Sequence, residues 1–281
     1  MEKKKVFASD IFVLLLAMVV VVSLAFSMLP SSFKHDFSNF VLYAFSANTY
    51  GVERQVIGKN PQQLKQPTQY VLPFSKGEKL IYNIHYRGLK LGQAVLTFHG
   101  EVEFENSFAY FITFNTDTLY FKDLEKIYAS KETFLPLKIE RKFKQLAGTT
   151  TRITEDYDQQ KYKVVISKKG LIFSNKITLD KSSVIHNAIL LSYYYRTRNT
   201  LVQEEKMLVN LPTREFQLIF KGKQPISTPL GENIAYLFEA DSSKFRFWLK
   251  DDAKRLPLKI EDPGIFGYSL ILSTVEEEQG N

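Results

Sequence analysis

The sequence predicts a mainly β protein: a curved, partly closed antiparallel sheet with one packed helix, plus an N-terminal hydrophobic helix. Three observations predict it. From Pro73 onward, apolar residues recur at every second position, the period of a strand with one buried face. These short runs are separated by Gly, Asn, Asp and Lys turns, the pattern of an antiparallel meander. One segment, Ser183 to Arg198, departs from this rule and places Val184, Ala188, Leu191 and Tyr195 at helical spacing.

The chain opens with Lys3, Lys4 and Lys5, followed by 19 residues, Ile11–Leu29, in which only Ser23 and Ser27 are polar. As a helix this run measures about 28 Å, close to the roughly 30 Å of a bilayer core. The expectation is a signal anchor or signal peptide over residues 1–30, with the basic flank held in the cytoplasm. Ala25 and Ser27 also offer a small-x-small cleavage site. The expected location is therefore periplasmic and anchored to the inner membrane through residues 11–29, or soluble in the periplasm after cleavage. Residues 31–72 read as a stalk or lead-in, ending in the Gln- and Pro-rich stretch Asn60 to Pro67.

The β-rich domain is expected over residues 73–275. Leu80, Tyr82, Ile84 and Tyr86 alternate with polar or basic neighbours, and Gly88 and Gly92 bracket a turn into a strand with Ala94, Leu96 and Phe98. Phe108, Tyr110, Ile112 and Phe114 continue the alternation. Further strands are expected over 161–167, 172–179, 215–221, 234–239 and 245–249. The helix expected from Ser183, a possible N-cap, contains Tyr193-Tyr-Tyr195, which suits a strand equally well. Leu135-Pro-Leu-Lys-Ile-Glu140 recurs as Leu256-Pro-Leu-Lys-Ile-Glu261, each copy after a polar turn, which suggests one type of β-hairpin used twice. Glu276-Glu-Glu278 begins an acidic tail over 276–281.

Several chemistries are excluded or unsupported. With no Cys there is no disulfide, thiolate nucleophile, Cys-bound zinc or lipidated cysteine. The four His residues form no metal-ligand motif, and no nucleophile elbow, phosphate loop or dinucleotide fingerprint occurs, so no cofactor, metal or catalytic residue is assigned. The net charge of +7 is spread along the chain and mixed with acids, and no nucleic-acid recognition motif accompanies it, so no nucleic-acid partner is expected.

The aromatic supply is the remaining signal, with 23 Phe, 15 Tyr and one Trp. Tyr82, Tyr86, Phe98, Tyr110, Phe114, Phe247 and Tyr268 are candidates for one inner surface. They pack a core on one reading. On the other they line a groove for an acyl chain, an apolar peptide or a glycan. Arg196 would then meet an anionic head group, or else pair with a nearby carboxylate.

The blocks Gly77-Glu-Lys-Leu-Ile-Tyr82, Gly88, Gly92-Gln-Ala94, Tyr193-Tyr-Tyr-Arg-Thr197, Ile226-Ser-Thr-Pro-Leu-Gly231, Phe247-Trp-Leu-Lys-Asp-Asp252, Arg255-Leu-Pro257 and Gly267 resemble the domain of unknown function 3108 family of exported bacterial proteins. The resemblance spans roughly residues 73–275. It implies a Gram-negative-type envelope and a β-rich fold, and it supplies no catalytic residue. The hairpin before Leu-Pro is also similar in style to strands of periplasmic lipoprotein-carrier domains, whose sheets cradle acyl chains. The expected function is a non-enzymatic envelope binding or assembly factor for an amphipathic ligand or envelope protein, with lipid, glycan or protein as partner. A membrane-tethered interaction domain and an envelope hydrolase are the alternatives.

Overall fold

The computed structural model describes residues 72–277, apart from 87, 146–147, 149, 242–244 and 263–267. The signal or anchor helix and the stalk expected before residue 72 lie outside the described residues, as does most of the acidic tail.

Among the described residues fourteen strands form a single sheet in which every pairing is antiparallel. They are β1 Lys79–Tyr86, β2 Leu89–Phe104, β3 Ser107–Thr118, β4 Phe121–Ser130, β5 Pro136–Gln145, β6 Thr150–Asp158, β7 Lys163–Lys169 and β8 Ser174–Asp180. After helix α1, Ala188–Thr197, come β9 Lys206–Asn210, β10 Glu215–Thr228, β11 Gly231–Ala240, β12 Arg246–Lys250, β13 Pro257–Asp262 and β14 Tyr268–Glu276. The spatial order runs β8 down to β1, then β14 down to β9. Consecutive strands are therefore neighbours throughout each half, and β1 pairing with β14 joins the two halves.

This order corrects the expectation of a curved, partly closed sheet. The sheet is open, with β8 at one edge and β9 at the other. Closure would require β8 to pair with β9. The chain instead leaves β8 through residues 181–187, whose backbone groups find other partners. Gln159 pairs with both backbone groups of Ile185 through its side-chain amide, accepting from the N–H at 2.9 Å and donating to the carbonyl at 2.9 Å. The next residue, His186, donates its N–H to the Asn210 carbonyl at 2.7 Å.

The same contacts explain why α1 starts later than Ser183. Residues 185 and 186 are held outside the helix by these partners, and Asn187 becomes the cap, its Oδ1 accepting from Ile189 N–H at 2.9 Å and Leu190 N–H at 3.2 Å. Every residue from Leu190 to Thr197 is buried, so the three tyrosines lie in a helix enclosed on all sides.

The membrane expectation is also corrected. Among the described residues no helix is long and apolar enough to cross a membrane. Helix α1 has 10 residues, about 15 Å against a bilayer core of roughly 30 Å. Attachment through residues 11–29, a signal anchor and an inner-membrane location thus have no support among the described residues.

One sheet face carries the core. The register aligns Tyr82 with Ala94, Leu80 with Leu96, Phe98 with Ile112, and Ile112 with Ile127 and Ile139 in turn. At the other half Phe220, Phe238 and Phe247 align in the same way, with Phe238 and Phe247 stacked at 4.6 Å. Gly92 is required at its place in β2, because a Cβ there would lie 2.1 Å from the Asp117 carbonyl oxygen.

The two Leu-Pro hairpins share their geometry. Ser130 N–H donates to Leu135 O, and Lys250 N–H donates to Leu256 O, both at 2.9 Å. Each has a register shift one residue before the strand position facing Pro, and each has a left-handed residue before Leu-Pro: Phe134 at φ 53° and Arg255 at φ 46°. Pro136 and Pro257 each open a strand, where a missing N–H is tolerated.

Candidate functional site

Arg196, in the last turn of α1, is the best-connected of the candidate residues. Its guanidinium forms a two-pronged ion pair with Glu78, Nη1 to Oε1 at 2.7 Å and Nη2 to Oε2 at 2.8 Å. Its Nε donates to Lys254 O at 3.0 Å, and its Nη2 also reaches Pro73 O at 3.4 Å. The group sits 4.5 Å from the Phe74 ring centroid. With side-chain exposures of 0% and 1%, the pair is closed to a ligand. Of the two readings of Arg196, the structure has the carboxylate partner, and that partner is 118 residues away.

The aromatic candidates divide by burial. Tyr82, Phe98 and Phe247 are at most 2% exposed, and Tyr82 donates its hydroxyl to Pro257 O at 3.0 Å. Burial pushes the Tyr82 phenol well above its ordinary range. Tyr110, Phe114 and Tyr268 are partly buried against the same core, and Tyr86 is half-buried opposite Tyr268. The rings meet each other and the helix. Phe98 lies 5.3 Å from Tyr110 and 5.9 Å from Tyr193, while Phe247 lies 5.8 Å from Tyr195.

A small depression lies at the start of α1, lined in part by Phe134, Leu135, His186, Leu190 and Tyr194. Its room is ≈ 10 Å³, about that of one water. None of the eight candidate residues lines it. His186 there is held down to about 4 by burial, and its Nδ1 accepts the Asn210 N–H at 3.1 Å, as a neutral ring does.

Sequence reasoning passed over a second charged group. Asp123 and Glu125 of β4, Arg141 of β5, and Glu155 and Tyr157 of β6 occupy the face that carries Ile127 and Ile139. Arg141 Nε contacts Asp123 Oδ2 at 2.9 Å and Glu125 Oε1 at 3.3 Å, while Tyr157 donates its hydroxyl to Glu155. Burial drives Glu125 up to about 7, opposed by Arg141 and reinforced by Asp123 and Glu155. Extending the period-two pattern from Ile127 and Ile139 into Glu125 and Arg141 would have found the cluster. Its acids are held by a guanidinium and a phenol, so they do not form an open pair across a substrate cleft. Among the described residues, no group of three or more His, Cys, Asp or Glu is placed to hold a metal ion.

Two of the blocks noted in the sequence meet at α1. Glu78 meets Arg196, and Arg255 donates to the Tyr195 carbonyl at 3.1 Å and to the Arg198 carbonyl. Residues 81–270 match the model of the family described as a protein of unknown function, DUF3108. The chain belongs to the DUF3108 family.

No curated protein matches the DUF3108 chain. Among solved structures it is similar to a β-barrel-like protein of domain of unknown function DUF1849 from Brucella abortus. That protein is 9% identical with a TM-score of 0.46, over 72% of this chain and 98% of that one. A putative exported protein with a YmcC-like fold from Bacteroides fragilis is 9% identical with a TM-score of 0.24, over 73% and 98% of the two chains.

Proposed function

We propose that this DUF3108 domain is a non-catalytic binding or assembly factor of the bacterial envelope that engages another protein at its surface, and does not carry a small amphipathic ligand inside. One observation carries the reading. Of the rings that would line a carrier groove, Tyr82, Phe98 and Phe247 are buried in the core and Tyr110, Phe114 and Tyr268 pack against it, whereas Leu171 and Ile172, at the β7–β8 turn, are 91% and 94% exposed. Two adjacent aliphatic side chains in water are a poor arrangement for an isolated molecule. Covering each by a partner contributes about 1.5–3 kcal/mol. Lys168 and Lys169 precede this tip, so the partner surface has an apolar hollow with an acidic margin.

A photo-reactive residue at position 172 tests the reading in cells. It should cross-link to one discrete protein, and Leu171→Ser should weaken that adduct without shifting the unfolding midpoint. Native mass spectrometry of the purified chain should show no bound lipid or glycan. Phe98→Ala and Phe247→Ala should each cost about 3–5 kcal/mol of stability, as core truncations do. A stoichiometric lipid or glycan, lost in Phe98→Ala while the domain stays folded, would overturn the reading in favour of a carrier.

A further inference from the structure

Strand β8 is an edge whose hydrogen-bonding groups and charges fit a second copy of itself. Its register with β7 pairs Lys163 with Asp180 through Lys169 with Ser174. Just beyond the ends of β8, Gly170 N–H donates to Phe173 O at 2.9 Å and Lys181 N–H donates to Tyr162 O at 2.8 Å. In an antiparallel ladder the residues that bond to one neighbour alternate with those that face away. Odd-numbered residues of β8 therefore bond to β7, and the N–H and carbonyl groups of Ser174, Lys176, Thr178 and Asp180 face the open edge. Among the described residues β8 pairs with no other strand than β7. All four outward-bonding residues are exposed.

We propose that two copies of this chain pair antiparallel through β8, with the two-fold axis at Thr178. That register places Thr178 opposite its own copy, and Lys176 opposite Asp180 on both sides of the axis. All three positions are even-numbered, so each carries backbone groups aimed at the partner strand. Moving the axis to Lys176 or to Asp180 sets like charges directly opposite, which is unfavourable. Moving it to Ile177 or Leu179 leaves Lys176 facing a hydroxyl residue. The Thr178 axis alone converts both charges into cross-strand ion pairs.

The two faces of the joined sheet agree with this register. Ile177 and Leu179 are half-buried on the face they share with Val164, Ile166 and Ile185. Pairing at Thr178 sets Ile177 against Leu179 of the second copy, twice, and so continues that small apolar cluster across the axis. On the other face, Asp180 already lies 3.3 Å from Lys163 with its side chain 73% exposed, which leaves room for the incoming Lys176. The interface is isologous and closes on itself, so it makes a dimer and not a fibre. It also removes an exposed edge that would otherwise template aggregation.

The inference goes beyond the partner reading above. It uses the edge of β8, while that reading uses the tip at Leu171 and Ile172, and either can fail without the other. Sedimentation of the full chain should show a reversible monomer–dimer equilibrium. Lys176→Glu and Asp180→Lys should each raise the dimer dissociation constant by about tenfold or more. An equimolar mixture of the two single variants should associate as a heterodimer, because every facing pair is then opposite in charge. The double variant Lys176→Glu/Asp180→Lys should recover homodimerisation. The chain has no cysteine of its own, so Thr178→Cys adds a unique thiol, and a short bismaleimide should link two copies in cells. A wild-type chain that stays monomeric, or single variants that do not complement each other, would overturn the edge pairing. A position-172 cross-link to a different protein would still stand in that case. Loss of that cross-link with the dimer intact would remove the tip reading alone.

Discussion

Arg196 and Glu78 form a buried ion pair, with side-chain exposures of 0% and 1%. Removing one partner leaves an uncompensated charge in the interior, at a cost of about 3–5 kcal/mol. Glu78→Gln and Arg196→Met should each lower the urea midpoint accordingly. The double replacement should cost clearly less than the sum, the signature of direct coupling in a double-mutant cycle. Glu125 and His186 set opposite pH dependences. Glu125 is raised from 4.5 to about 7, so its contribution is fully present below about 4.5 and is lost as pH rises through 7. His186 is lowered from 6.5 to about 4, so its contribution is present above 6.5 and is lost as pH falls toward 4. The two partly cancel between about pH 4.5 and 6.5. Glu125→Gln should therefore make stability rise more steeply with pH across that window, and His186→Gln should make it fall with pH, both followed by urea unfolding. Neither shift could be read from the sequence. A glutamate inside a strand and a histidine ahead of a helix acquire their environments only when strands from elsewhere cover them.

At the scale of elements, most strands were legible because alternation is a local property of a half-buried sheet, whereas β6, β9 and β14 were not among the expected strands. Leu80, Tyr82 and Ile84 announce β1 with no knowledge of their neighbours. Both Leu-Pro turns were visible for the same reason, since Pro can open a strand but cannot sit inside its ladder. The start of α1 was not legible. Val184 continues the helical spacing, yet Gln159 and Asn210 hold Ile185 and His186 outside the helix, and these partners lie 26 and 24 residues away. Asn187 then caps the helix through two backbone N–H groups. Asn187→Ala should cost about 0.5–2 kcal/mol, whereas Ser183→Ala should cost much less, as measured by thermal unfolding. Equal losses at the two positions would place the helix start back at Ser183.

For the molecule as a whole, composition and alternation determined that the chain is mainly β, that it has one helix-like exception, and that cysteine chemistry is absent. Those properties follow from residue type and from periods of two and 3.6, which any segment carries within itself. The tertiary structure alone decided three further matters. It made the sheet open, because closure depends on whether β8 and β9 meet, and these strands come from opposite ends of a 14-strand order. It put Tyr82, Phe98 and Phe247 in the core, because a ring's exposure depends on what lies above it, which for Phe98 and Phe247 is α1. Among the described residues it left Leu171, Ile172 and the β8 edge uncovered, because there the β7–β8 hairpin is the last unit of one half of the sheet and has no following strand to shield it. Alternation says which side of a strand is apolar, but the order of the strands decides which apolar surfaces are finally covered.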